Sequence, residues 1–253
     1  MVNGTEFFDP RDAASYNNQN IWHQNANVFE AASFDSAKGH PAPGMTTAAP
    51  GTLIAGTYHY HQAPLELLNQ LDPGNTGQHH SPLIGFAFDG FPVYGPYGYA
   101  NSDGTGGIVR ETSSYQLRNI TSRTTLPNGQ TLQPNQFGPA VSTTFPLGDY
   151  VEDYGFVAGS GMLDRFNGRF EVNADYPNGT YAYFLSTDAS GNSVYPYIIG
   201  PQYNGVVNTN DLPGGVITVP ANVTFYTPTA VPEPAMMGLL GVGVLFCRRR
   251  AAR

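Results

Sequence analysis

The sequence predicts a mainly β protein: a single β-rich domain, sandwich-like or barrel-like with few short helices, followed by a hydrophobic C-terminal helix. Three observations carry this. The 253 residues include 30 glycines and 21 prolines, too many for a helical protein. Aromatic residues make up 13% and charged residues only 12%, a balance that suits short strands joined by turns. The chain is also long enough for one all-β domain to bury a sizeable core. Charge then narrows the function. Lys38 is the only lysine, and Arg248, Arg249, Arg250 and Arg253 lie at the extreme C-terminus. Residues 1–230 carry 7 basic against 18 acidic residues, a net −11. Such a body does not bind nucleic acid, which needs clustered Lys and Arg, but it favours cations. Cys247 is the single cysteine, so no intrachain disulfide forms.

In chain order, Asn3 to Phe8 reads as a turn and a strand. Met1 to Phe8 has neither the basic nor the apolar region of a signal peptide. A polar loop, residues 17–25, carries the only tryptophan, Trp22, and His23. Another, residues 34–41, carries His40. Both histidines read equally well as surface loop residues or as functional ones. Pro64 to Leu71 is a short helix, with Pro64 at its first position and Asp72-Pro73-Gly74 as its stop. Ile84 to Phe88 reads as a buried strand, which makes Phe86 and Phe88 core residues, and Asp89-Gly90 as a turn. Residues 101–107 form an exposed loop, and Pro127-Asn128-Gly129 marks another turn. Asp149, Glu152 and Asp153 fall among aromatics, and a solvated acidic loop is the expected reading over a cation site. Gly179 to Ile199 reads as a hairpin whose first strand echoes residues 56–61, with Ala182 and Phe184 in place of histidines. Residues 215–219 and 223–226 give further strands.

Gly56 to Gly98 is the segment that points to chemistry, because four of the six histidines lie in it. In a strand, alternate side chains share a face. His59 and His61 therefore project together, with Tyr58 and Tyr60 on the other side. Two imidazoles so placed bind one metal ion if further ligands come from elsewhere. The expected set is His59, His61 and His80, with His40 or His23 as a fourth ligand or supporting partner and Asp89 orienting an imidazole. Imidazole ligands suit Zn, Cu or Fe. No nucleophile elbow, His-Glu-x-x-His or catalytic cysteine is present, so no reaction follows from the sequence. A second reading, from another class, is a non-catalytic matrix protein that binds polysaccharide through Phe86, Phe88, Phe91, Tyr94, Tyr97 and Tyr99.

From Val231 the composition changes: Val231-Pro232-Glu233-Pro234, an uncharged run from Ala235 to Cys247, then three arginines. The run is shorter than the ~20 residues of a membrane span, and flanking residues extend it by snorkelling. This three-part end resembles the PEP-CTERM sorting signal of Gram-negative-type bacteria. The resemblance implies export, transient anchoring in the inner membrane, and removal of the tail by an exosortase. It also implies association with extracellular polysaccharide and biofilm. An exported chain needs an export signal, so a signal peptide and at least one strand are expected upstream of Met1.

The body, through GTYHYHQAP (56–64) and HHSPLIGFAFDGFPVYGPYGY (79–99), resembles the YHYH domain family. The likeness extends through SYNNQNIWHQNA, PLGDYVEDYGFV and YPNGTYAYF to YPYIIGPQYNG. The matching site residues are His23, His40, His59, His61, His80 and Asp89. The expected organisation is a YHYH domain at 1–205, terminal strands and a linker at 206–230, and a sorting and anchor segment at 231–253. The expected location is the cell envelope or the exterior.

Overall fold

The computed structural model describes residues 1–43, 45–46, 53–54 and 56–207. The expected strands at 215–219 and 223–226 and the whole tail lie outside the described residues. Within them the chain is mainly β, with only short helices, and its strands are distributed over several small sheets.

The largest sheet has four strands in the order Gly168–Glu171, Thr180–Phe184, Pro92–Tyr94, Leu83–Phe86. Its two central strands run parallel, pairing Tyr183 with Val93 and Phe184 with Tyr94. Val93, Tyr94, Tyr183, Phe184 and Ile84 are buried there. The helix Leu65–Leu71 covers this core with Leu67. Pro64 occupies the N-cap rather than the first helical position, one residue earlier than its fixed φ predicts.

The strand Leu83–Phe86 lies at the sheet edge and ends at Phe86, and Phe88 falls in the turn that follows, which overturns the burial expected of both. Phe86 is 51% and Phe88 55% exposed, while Tyr94 on the central strand is fully buried. The expected polysaccharide row is therefore split between core and surface. The 179–199 hairpin is also corrected. Thr180–Phe184 pairs with Gly168–Glu171, and residues 194–199 form a compact turn rather than a strand. The two halves are joined by the bridge between Thr187 and Ser193 and by backbone hydrogen bonds of Ser186 with Val194 and Tyr197.

A three-stranded sheet runs Glu6–Phe7, Tyr58–Tyr60, Gly39–Pro41, with the histidine-bearing strand in the middle. Tyr58–Tyr60 is parallel to the first and antiparallel to the last. Gly39 is required here: a Cβ at this position would meet the Tyr58 ring at 2.5 Å. The missing side chain lets Tyr58 lie across the neighbouring strand and donate to Asp35 Oδ2 at 2.7 Å.

A third cluster packs Trp22, Leu132 and Tyr150 around a fully buried ion pair. Arg123 grips Asp153 with two hydrogen bonds, at 2.7 and 2.8 Å, and donates to the carbonyls of Pro139, Phe145 and Pro146. The loop around Asp149, Glu152 and Asp153 is thus held inside rather than solvated. Truncating one partner leaves the other charge buried and alone. Arg123→Met should cost about 3–5 kcal/mol in chemical denaturation. Arg11→Met, which breaks the exposed Arg11–Asp9 pair, should cost about 1 kcal/mol or less.

Candidate metal centre

Residues directly opposite one another in an antiparallel pair share a face, as do alternate residues along a strand. His40 stands opposite His59 in the register, and His61 follows two positions on. One small sheet therefore gathers three imidazoles on one side. Their inner nitrogens converge. His59 Nε2 lies 3.1 Å from His40 Nε2 and 3.0 Å from His61 Nε2, and all three rings are buried. Phe8 stacks on His59 at 4.0 Å, and Phe34 meets His40 edge-on at 4.8 Å.

The outer nitrogens decide the tautomers. His59 Nδ1 lies 2.9 Å from the Thr57 carbonyl, and His61 Nδ1 lies 2.7 Å from the Asp9 carbonyl. A carbonyl can only accept, so both Nδ1 atoms carry protons. His40 Nδ1 lies 2.8 Å from Ser33 Oγ, whose own proton goes to the Glu30 carbonyl at 2.6 Å. With that proton committed, Oγ accepts from His40. Each ring thus turns an Nε2 lone pair inward.

Lone pairs about 3 Å apart and out of water repel unless a positive charge lies between them. Two nitrogens ~2.0–2.1 Å from one ion, at angles of 90–110°, lie ~2.9–3.4 Å apart. The observed 3.0 and 3.1 Å fall in that range. Burial lowers the basicity of His61, to a pKa of about 4, and lowers that of His40, with His59 acting in the same sense. Glu30 flanks the cluster. Its Oε2 is buried, accepts no hydrogen bond, and lies 3.3 Å from His61 Nε2 and 3.6 Å from His40 Nε2.

The remaining candidates go elsewhere: the structure brings His40 together with His59 and His61, and holds the expected His80 apart from them. His80 belongs to a separate buried network. Its Nε2 lies 2.6 Å from Glu171 Oε1, and Arg169 links Glu171, at 2.7 Å, to Glu111. Gly98 makes room for that network, since a Cβ there would meet Glu171 Oε2 at 2.9 Å. His23 pairs with Glu152, Nδ1 to Oε1 at 2.6 Å, and burial raises the Glu152 pKa. Asp89 orients no imidazole. It accepts from the Tyr183 hydroxyl at 2.6 Å and the Gly205 N–H at 2.9 Å, and so ties down the chain after the core. His40 is neither a loop nor a surface residue, because its strand pairing buries it. Glu30 and Ser33 escaped sequence reading, since they sit in an irregular segment with no periodicity to mark a face.

A cavity of about 580 Å³ lies beside the His23–Glu152 pair, walled by Tyr115, Tyr154, Phe156 and Tyr195. Tyr154 and Tyr195 stack at 4.2 Å.

The family model described as YHYH protein matches residues 1–193, and the PEP-CTERM protein-sorting motif matches residues 230–251. That motif marks the chain for export to the cell envelope of a Gram-negative-type bacterium, with an exosortase as processing partner. The motif lies outside the described residues, among which no helix is long and apolar enough to cross a membrane. No curated protein and no solved structure matches the chain.

A histidine whose basicity falls on folding takes up a proton when the chain unfolds, so acid favours the unfolded state. For His61 this acts between its ordinary 6.5 and about 4. In the presence of chelator, the thermal midpoint should fall as pH drops through that window. His61→Gln should flatten that part of the profile, measured by calorimetry.

Proposed function

The chain belongs to the YHYH protein family, and we propose that it is an exported envelope or extracellular protein whose YHYH domain binds a transition-metal ion. The ligands in this reading are Nε2 of His40, His59 and His61. One observation carries it: three buried lone pairs face one another at metal-ligand spacing, with their tautomers held by acceptors outside the cluster. Imidazole sets of this kind accept Zn, Cu or Fe. Residues 1–205 form the binding body, 206–230 link it to the tail, and 231–253 anchor the chain in the inner membrane until an exosortase removes them.

The test is elemental analysis of the purified protein after reconstitution with Zn, Cu or Fe salts. Stoichiometric metal is expected in the native chain and none in His59→Ala/His61→Ala, with the double variant still folded by circular dichroism. A native chain that retains no metal after desalting overturns the reading.

A second reading, a matrix protein that binds polysaccharide, draws support from the aromatic-walled cavity rather than from the Phe86–Tyr99 row. Its volume lies in the range of small-ligand sites. Planar rings and the side-chain amides of Asn20, Asn128, Gln130 and Gln136 suit the faces and hydroxyls of a sugar unit. Phe156→Ala should weaken glycan binding in calorimetry by about 1–2 kcal/mol while leaving metal content unchanged. Equal glycan binding by both proteins removes the cavity from consideration.

A further inference from the structure

We propose that Glu30 is the fourth ligand of the histidine centre, which makes it a site of three imidazoles and one carboxylate for a divalent cation. The proposal rests on the metal-binding reading above and adds the charge of the site and the class of ion it takes.

A carboxylate oxygen removed from water is costly unless it receives hydrogen bonds or meets a cation. Glu30 Oε2 receives none. Its polar neighbours in the cluster are the Nε2 atoms of His61 and His40, at 3.3 and 3.6 Å. Both rings carry their proton on the far nitrogen, so neither Nε2 has one to offer. Four acceptor atoms therefore close a circuit, His59 to His61 to Glu30 to His40 and back, with steps of 3.0, 3.3, 3.6 and 3.1 Å. A cation held by the three Nε2 atoms draws Oε2 in from the edge that His61 and His40 share, and turns these mutual repulsions into attractions.

The backbone holds Glu30 there. It caps the short helix Ala26–Phe29, with its N–H donating to the Ala26 carbonyl at 2.9 Å. Its carbonyl accepts both the N–H and the hydroxyl of Ser33, the same hydroxyl that receives the His40 proton. The Glu30 main chain and the His40 ring thus form one hydrogen-bonded unit. A carboxylate among imidazoles suits Zn²⁺, Fe²⁺, Co²⁺ or Ni²⁺ and adds little for the softer Cu⁺.

The test titrates the full chain with Zn²⁺, Co²⁺ and Cu⁺ against chelators of known affinity and records the visible spectrum of the Co²⁺ form. Glu30→Gln keeps the size of the side chain and removes its charge. It should lower Zn²⁺ affinity by about tenfold or more, shift the Co²⁺ bands, and leave Cu⁺ affinity unchanged. Glu30→Asp, which keeps the charge on a shorter arm, should recover part of the Zn²⁺ affinity and decides the matter if Glu30→Gln does not fold. Wild-type Zn²⁺ affinity and an unshifted Co²⁺ spectrum in the variants overturn the proposal while the three-histidine reading stands. A native chain that binds none of the three ions overturns both.

Discussion

The Nδ1–H groups of His59, His61 and His40 each meet an acceptor from a different stretch of chain: Thr57, Asp9 and Ser33. These bonds lie outside the cluster, yet they settle its chemistry, because a ring whose far nitrogen holds the proton offers a lone pair at the near one. The sheet brings the rings together, and the outer acceptors decide what they can do once there. Much of the first 61 residues serves this arrangement. The Glu6–Phe7 strand leads to Phe8 and Asp9, the segment around Glu30 and Ser33 closes one side, and Gly39–Pro41 places His40.

The same rule, that a charge out of water needs a partner, organises the rest of the body. With only 7 basic residues in positions 1–230, acidic groups cannot all be matched by surface pairs. Asp153 is enclosed with Arg123, Glu111 and Glu171 share Arg169, and Glu152 takes His23. Arg169 and Glu171 share the strand Gly168–Glu171 and His23 begins the strand His23–Asn25, so these pairs tie short strands and turns to segments distant in sequence. Glu111 is fully buried, and burial raises the pKa of both Glu111 and Glu152. Glu30 differs from the others, since within its reach lie lone pairs rather than a guanidinium.

Several features were legible because their causes are local. The Leu65–Leu71 helix follows from its apolar spacing and from the Asp72-Pro73-Gly74 stop. The pairing of His59 with His61 follows from strand alternation. The turn at Asp89-Gly90 is where its residues put it, with Gly90 at φ 87°. Phe86 and Phe88 show where such reasoning stops. An apolar run reads as a buried strand, and only the structure shows that this strand lies at the sheet edge and ends at Phe86, leaving Phe88 in the turn. The echo of residues 56–61 in 179–184 divides the same way. Both copies form strands, but Ala182 and Phe184 enter the core while His59 and His61 line the cluster.

The sequence by itself determined the mainly β class, the family, the sorting tail and the shared face of His59 and His61, because composition, motif and a two-residue period are written along the chain. The tertiary structure decided that His40 and not His80 completes the trio, that Glu30 flanks it, and that Asp153 and Glu171 are buried. Those outcomes depend on strand register and loop closure between segments far apart in sequence. A register is set by packing and by desolvation across the whole domain, so no short stretch of residues carries it.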